Sequence, residues 1–251
     1  PRHARPCWWA TRLVIVRGFA KYMQALDPRT EVPPLELLPY RHLRAQPFVY
    51  AADDVVALLG AARALPSSLM AATYTTLIGL LSVSGMRIGE AIALDDDDVD
   101  LRRGAITVLK AKFGKTREVP VHATTADALL RYRKERARRA PSRNEPSFFV
   151  STAGTRLLYQ NVDMKFRELV CTVGLDKRRP RPRIHDLRHT FAIRTVISWY
   201  RADEDVEARL PLLSTYLGHI GPSSTYWYLS AVPELLEAAT ARLECALMKV
   251  R

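Results

Sequence analysis

From Ser67 to Val83 the chain runs for 17 residues without a charged side chain. Apolar groups fall on every side of that stretch, so a helix here must be buried all round, at the centre of a core. No apolar run approaches the roughly 18–20 residues needed to cross a bilayer, so protein, not lipid, has to enclose it. Ser84-Gly85 breaks the helix, and Met86 to Leu94 resumes it. A chain of 251 residues is long enough for one sizeable core, or one main domain with a small appendage. With 48% hydrophobic and 25% charged residues it has the composition of an ordinary soluble globular protein.

Other elements arrange themselves around that helix. Leu13, Val16, Phe19, Ala20 and Met23 recur at helical spacing between Trp8 and Leu26, and Asp27-Pro28 should end that helix. The prolines of Glu31 to Pro39 forbid continuous helix and suit an extended linker. The expected organisation is an N-terminal helical segment over 1–31, a linker over 32–48 and a main domain over 49–251. Asp53 or Asp54 should cap a helix through Leu58-Leu59. Two short strands, Ala105–Leu109 and Arg117–Val121, should be joined by a turn around Phe113-Gly114. A basic amphipathic helix follows over Ala123–Arg139, Phe148-Phe149-Val150 is a further strand candidate, and the pattern from Gln160 onward is helical. The fold class is mainly α with a small antiparallel β-sheet, α+β.

Charge narrows the partners. Lys and Arg number 38 against 26 Asp and Glu, a net charge of +12, which fits a polyanion whose condensed counterions are released on binding. That excess does not by itself separate DNA from RNA or a membrane surface. Cys7, Cys171 and Cys245 are odd in number and widely spaced, with no CxxC, so neither a disulfide framework nor a zinc knuckle is indicated and a reducing cytoplasm is the expected home. No signal peptide opens the chain; it starts at Pro1 rather than Met, and an upstream portion is expected.

The chemistry sits late in the sequence. His185, Arg188 and His189 stand at i, i+3 and i+4, one face of a helix; Leu217-Gly218-His219 follows, and Tyr228 lies nine residues beyond His219. Imidazoles, a guanidinium and a phenol converging without a carboxylate ligand set suit attack on a phosphodiester by tyrosine. An HxxRH run alone is more often a solvated or capped helix face. Near it, Lys177-Arg178-Arg179-Pro180-Arg181-Pro182-Arg183 should be held extended along a phosphate track, whereas the basic face of Arg131 to Arg139 reads equally well as solvated helix. The acid run Asp95 to Asp98 precedes a strand, and helix exit with local capping accounts for it without a metal.

Four pieces together resemble the tyrosine recombinase (phage integrase) family over roughly Val49 to Leu236. Ser84-Gly85-Met86-Arg87-Ile88-Gly89-Glu90-Ala91 is similar to the family's TGLRxxEL box. Lys112-Phe113-Gly114-Lys115 before Val119-Pro120 is similar to its lysine-bearing β-turn, His185–His189 to its HxLRH box, and Leu217-Gly218-His219 with Tyr228 to its final motif. The wording around Trp199-Tyr200-Arg201 and Thr225–Ser230 looks like the integrase branch carried by mobile elements. The resemblance implies the recombinase catalytic-domain fold, here preceded by a truncated remnant of the helical core-binding domain. It implies Arg87 and Arg188 as the pair that binds the scissile phosphate, with Glu90 orienting Arg87, and a plain Arg87–Glu90 salt bridge is the same contact. Tyr228 is the implied nucleophile, forming a 3′-phosphotyrosyl link, and the spacing from His219 favours it over Tyr226. His185 is implied as proton carrier and His219 as donor to a phosphate oxygen, with His189 in support through a hydrogen bond or a buried helix contact. Lys112 is the implied general acid, though Lys110 and Lys115 are close by and either lysine suits a phosphate contact as well. Guanidiniums replace metal in this scheme, so no cofactor or metal is expected.

The expected function is therefore site-specific cleavage and rejoining of double-stranded DNA for integration of a mobile element. A homo-tetramer on DNA, held through the C-terminal segment after Val232-Pro233, is implied by the family, and packing of that segment on its own domain is the equal alternative. Two rival readings remain: a catalytically incomplete DNA-binding fragment, since the family normally has a longer helical domain before the linker, and a zinc-dependent hydrolase using His185, His189 and His219. Arg188 beside those imidazoles would repel a dication.

Overall fold

The computed structural model describes residues 6–38, 46–111, 115–140, 146–218 and 240. It divides into two compact units, residues 1–45 and 46–251. In the first, helix α1 spans Pro6–Leu26. Arg17 donates from Nε to the carbonyl of Pro33 at 3.0 Å and also hydrogen-bonds the carbonyl of Pro34, which folds the proline segment back along its own helix.

The second unit is built on the uncharged helix, α3, Ser68–Ser84. Ser67 caps it by accepting from the Met70 amide at 3.3 Å, and Gly85 ends it in the left-handed conformation at φ 59°. Leu77, Ile78, Leu80 and Leu81 are fully buried. Packed against α3 are α2 (Ala52–Arg63), α5 (Ala123–Arg139) and α7 (Asp186–Arg201). Thr73, buried in α3, donates to the Val150 carbonyl at 3.2 Å and lies beside the Tyr132 hydroxyl. Helices α4 (Ile88–Ala93), α6 (Tyr159–Thr172) and α8 (Val206–Leu217) complete the described helices. A second, smaller apolar cluster joins α7 to α8 through Ile193, Val196, Leu210 and Leu213.

The sheet has three antiparallel strands in the order β1-β2-β3: Val99–Asp100, Ala105–Ala111 and Lys115–Pro120. Ile106 pairs with Val119 and Val108 with Arg117, so Ile106, Val108, Val119 and Arg117 share the face turned to the core. The hairpin turn at 112–114 lies outside the described residues. The mainly helical fold with a small antiparallel sheet is thus the one expected.

Three local expectations change. The N-cap position of α2 falls at Ala51 instead of Asp53 or Asp54, and Asp54 caps from inside the first turn by accepting from the Ala51 amide at 2.8 Å. Phe148-Phe149-Val150 is not a strand. Ser147 and Val150 make only isolated bridges, with Asp95 and Arg156, because distant parts of the chain claim the segment's backbone: the Leu94 carbonyl takes the Phe148 amide and the Tyr132 hydroxyl the Val150 amide. The sheet's extra strand is instead the two-residue β1, too short to show a period in sequence.

The acid run is wholly structural where its contacts are seen. Asp98 accepts from the Asp95 amide at 2.9 Å, Asp95 pairs with Arg156 at 2.6 Å, and Asp96 pairs with Arg136 at 2.7 Å. Arg136 is buried and also binds the carbonyls of Ser147 and Phe148, so part of the basic face of α5 is turned inward to hold a loop.

Candidate active site

Three arginines converge on one helix end. Helix α8 stops at Leu217 with Gly218 in the left-handed conformation, leaving its last carbonyls without intrahelical partners. Arg117 donates from Nε to Tyr216 at 2.9 Å, Arg188 to Leu217 at 2.7 Å, and Arg87 to Gly218 at 2.8 Å. Each comes from a different element: β3, the first turn of α7, and the residue preceding α4. The carbonyl dipoles at a helix C-terminus favour cations, which explains why three can gather there.

Arg188 also donates to the Gly85 carbonyl at 2.8 Å, tying the end of α3 to the end of α8. Gly85 has room for no side chain: a Cβ there would strike the Phe191 ring and come within 3.1 Å of Leu217. The SGxR box is therefore a close-packed corner on which α7 and α8 both rest.

Glu90 sits between two of the arginines. It accepts from the Arg87 amide at 2.9 Å and the Arg87 guanidinium at 2.8 Å, and takes a two-pronged pair of bonds from Arg117 at 3.1 and 2.7 Å. Burial pushes this carboxyl up, but the bonds from Arg117 and Arg87 outweigh it and hold the pKa at about 2. The expected orienting contact of Glu90 on Arg87 is present.

His185 stands at the start of α7, its ring edge-on to His189 with centroids 4.8 Å apart. His185 is exposed to solvent, with protein packed close enough about it to weaken its hydration. Burial lowers its pKa from the ordinary 6.5, and Arg188, Arg183 and Arg87 lower it further against a contrary pull from Asp186. The segment leading into the helix is locked: buried Asp186 accepts from the Arg183 amide at 2.9 Å, and the Tyr50 hydroxyl donates to the Arg183 carbonyl at 3.0 Å. Burial, Asp186 and Asp54 all raise the Tyr50 phenol, so it stays protonated as a donor.

Of the residues singled out in the sequence, Arg87, Glu90, His185, Arg188 and His189 are therefore brought into one region. Lys112, His219 and Tyr228 lie outside the described residues, as do the side chains of Lys110 and Lys115. In the basic run, Lys177, Arg178, Arg179, Arg181 and Arg183 are exposed. Arg178 pairs with Asp54 at 3.0 Å and Arg183 with Asp186 at 2.9 Å, while Arg179 donates to the carbonyls of Asp176 and Arg178. Lys177 closes a short 3-10 turn instead of beginning the extended stretch. Among the described residues no group of three or more His, Cys, Asp or Glu side chains is placed to hold a metal ion, and no helix is long and apolar enough to cross a membrane.

Arg117 went unremarked in the sequence. The signal was present: strand alternation puts Arg117 on the same face as Val119, and a charged residue on an inward face calls for a buried counter-charge.

The arrangement can bind a phosphate diester through guanidiniums beside a neutral imidazole. Solved recombinases share the fold: the XerA recombinase matches 83% of this chain and 68% of its own at a TM-score of 0.64 and 23% identity. The Tn1549 transposon integrase, solved in complex with transposon right end DNA, matches 95% of this chain and 84% of its own at a TM-score of 0.64 and 17% identity. The fold and the pocket define a tyrosine recombinase catalytic domain. The chain belongs to the phage integrase family, whose profile matches residues 49–234, and is a tyrosine-type site-specific recombinase. A relative in Sinorhizobium fredii assigned as the integrase/recombinase y4rB is 45% identical over 97% of this chain and 80% of its own length. Tyrosine recombinase XerD of Caulobacter vibrioides is 29% identical over 94% of this chain and 74% of its own.

Proposed function

We propose that this recombinase cleaves double-stranded DNA through a 3′-phosphotyrosyl intermediate and serves the integration of a mobile element in the cytoplasm. The observation that carries this reading is the meeting of Arg87 and Arg188 on the carbonyls of Gly218 and Leu217, one and two residues before His219. The described chain reaches these guanidiniums at Gly218, and His219 is the next residue in sequence. Arg87 and Arg188 neutralise the non-bridging oxygens and stay charged at any working pH. Tyr228 attacks the phosphorus and gives up its proton, with His185 as the neutral imidazole that can take it; the 5′-oxygen leaves with a proton from Lys112. His219 donates to a phosphate oxygen and His189 supports His185 at ring-contact distance.

The mobile-element role is supported by the match to the transposon integrase, which extends over most of both chains. In the XerH structures the recombinase is bound to its difH substrate, which supports duplex DNA as the partner here. The exposed run Lys177, Arg178, Arg179, Arg181 and Arg183 leads into α7 and is proposed as a backbone-phosphate track, with Lys110 and Lys115 adding contacts from the hairpin. A homo-tetramer on DNA, joined through the C-terminal segment, is the proposed assembly; the segments before and after the linker, 1–31 and 49–251, are proposed as a DNA-contacting helical unit and the catalytic domain.

The test is a nicked duplex carrying the sequence this protein selects from randomised DNA, incubated with the protein and resolved under denaturing conditions. A covalent adduct is expected with the wild type and with Tyr226→Phe, and none with Tyr228→Phe. An adduct that survives Tyr228→Phe moves the nucleophile elsewhere; duplex binding without any adduct leaves a DNA-binding protein only.

A further inference from the structure

We propose that Arg117 is a positioning residue that adds one positive charge to the phosphate site, by sharing the Glu90 carboxylate that would otherwise cancel Arg87. The inference rests on the phosphate-transfer reading above. Glu90 is nearly enclosed, with 9% of its side chain exposed, and it contacts Arg87 twice. An isolated Arg87–Glu90 pair carries no net charge. At Arg87 an arriving phosphate would meet a dipole, with a full carboxylate close at hand, and the net charge would rest on Arg188. With the Glu90 side chain 9% and the Arg117 side chain 12% exposed, such cancellation is felt strongly, because charge is poorly screened there.

Arg117 changes that balance. Its guanidinium takes both Glu90 oxygens, at 3.1 and 2.7 Å, and its Nε is committed to the Tyr216 carbonyl at 2.9 Å. With three of its nitrogens engaged, it acts through Glu90 and not on the ligand. The Arg87–Glu90–Arg117 triad then sums to one positive charge, and Arg188 adds a second. The fork geometry matters: a lysine ammonium supplies the charge but cannot hold both carboxylate oxygens and a carbonyl together. Arg117 is also fixed from the far side, because Gly218 leaves it space; a Cβ on Gly218 would fall 2.9 Å from its guanidinium nitrogen.

This predicts rescue by charge. Arg117→Met should slow adduct formation on the nicked duplex roughly 10- to 100-fold while DNA affinity stays within about threefold, because the loss falls on transition-state charge. Adding Glu90→Gln to Arg117→Met removes the uncompensated carboxylate, restores one positive charge, and should recover most of that loss. Affinity for inorganic phosphate, followed by phosphorus NMR, should rank wild type and the double variant above Arg117→Met. A double variant no better than Arg117→Met in both assays would show that Arg117 only holds the fold, and an Arg117→Met protein as fast as wild type would remove its role altogether. Should the wild type form no adduct yet keep the phosphate ranking, the strand-transfer reading falls and the charge role stands. If Arg117→Met does not fold, as thermal unfolding will show, Arg117→Lys against Arg117→Gln carries the comparison: the lysine variant is expected to retain phosphate binding and the glutamine variant to lose it, and equal loss in both overturns the proposal.

Discussion

The Arg188 guanidinium, 2% exposed, joins the Leu217 carbonyl at 2.7 Å to the Gly85 carbonyl at 2.8 Å. One side chain thereby closes two helix ends on each other while holding its charge at the pocket. Replacing Arg188 with lysine keeps the charge but lets only one of those carbonyls be satisfied well. A loss of about 1–3 kcal/mol in stability is expected, with adduct formation down on the order of 100-fold. Urea denaturation and single-turnover adduct kinetics measure the two effects separately; a variant of unchanged stability would mean the two carbonyls find other donors.

Gly85→Ala tests the corner itself. The residue sits at φ 59°, and its new methyl would strike the Phe191 ring. A destabilisation of about 1–3 kcal/mol is expected from the backbone conformation and the clash together. A midpoint of denaturation equal to wild type would show that α7 can move aside freely.

The acid limb of the pH–rate profile should belong to His185. Its folded pKa is lowered below 6.5, so the neutral ring is the form the fold favours. The stability it contributes is present above that ordinary value and is lost as pH falls through the lowered one. The rate should therefore hold at neutral pH and fall only below 6.5, and His185→Asn should flatten that limb. Glu90, held at about 2, does not titrate in this window. An acid limb unchanged in His185→Asn would assign it to another group.

Asp96→Asn should weaken the fold without touching the chemistry. Arg136, 3% exposed, loses its carboxylate, while Asp96 itself keeps 28% exposure. The expected cost is about 2 kcal/mol, below the ~3–5 kcal/mol of a fully buried pair. Thermal unfolding checks this, and adduct rates measured well below the transition should match wild type.

Sequence alone made the centre of this protein legible because its signals are local. The uncharged run of α3, the break at Gly85 and the i, i+3, i+4 spacing of His185, Arg188 and His189 each declare themselves within a few residues. What stayed hidden depends on partners far along the chain. Phe148 and Val150 look like a strand until Leu94 and Tyr132 claim their amides. Arg178 and Arg183 read as loose cations, although Asp54 and Asp186 are waiting for them. Arg117 gains its meaning only when β3 brings it to Glu90 and Tyr216.

The three guanidiniums at the end of α8 hang from three consecutive peptide oxygens, those of Tyr216, Leu217 and Gly218. A slide or unwinding of that single turn would take one hydrogen bond from each of them at once. What then remains is Arg87 and Arg117 joined through Glu90, and Arg188 on the Gly85 carbonyl, so the register of one helical turn sets how closely these two halves are drawn together.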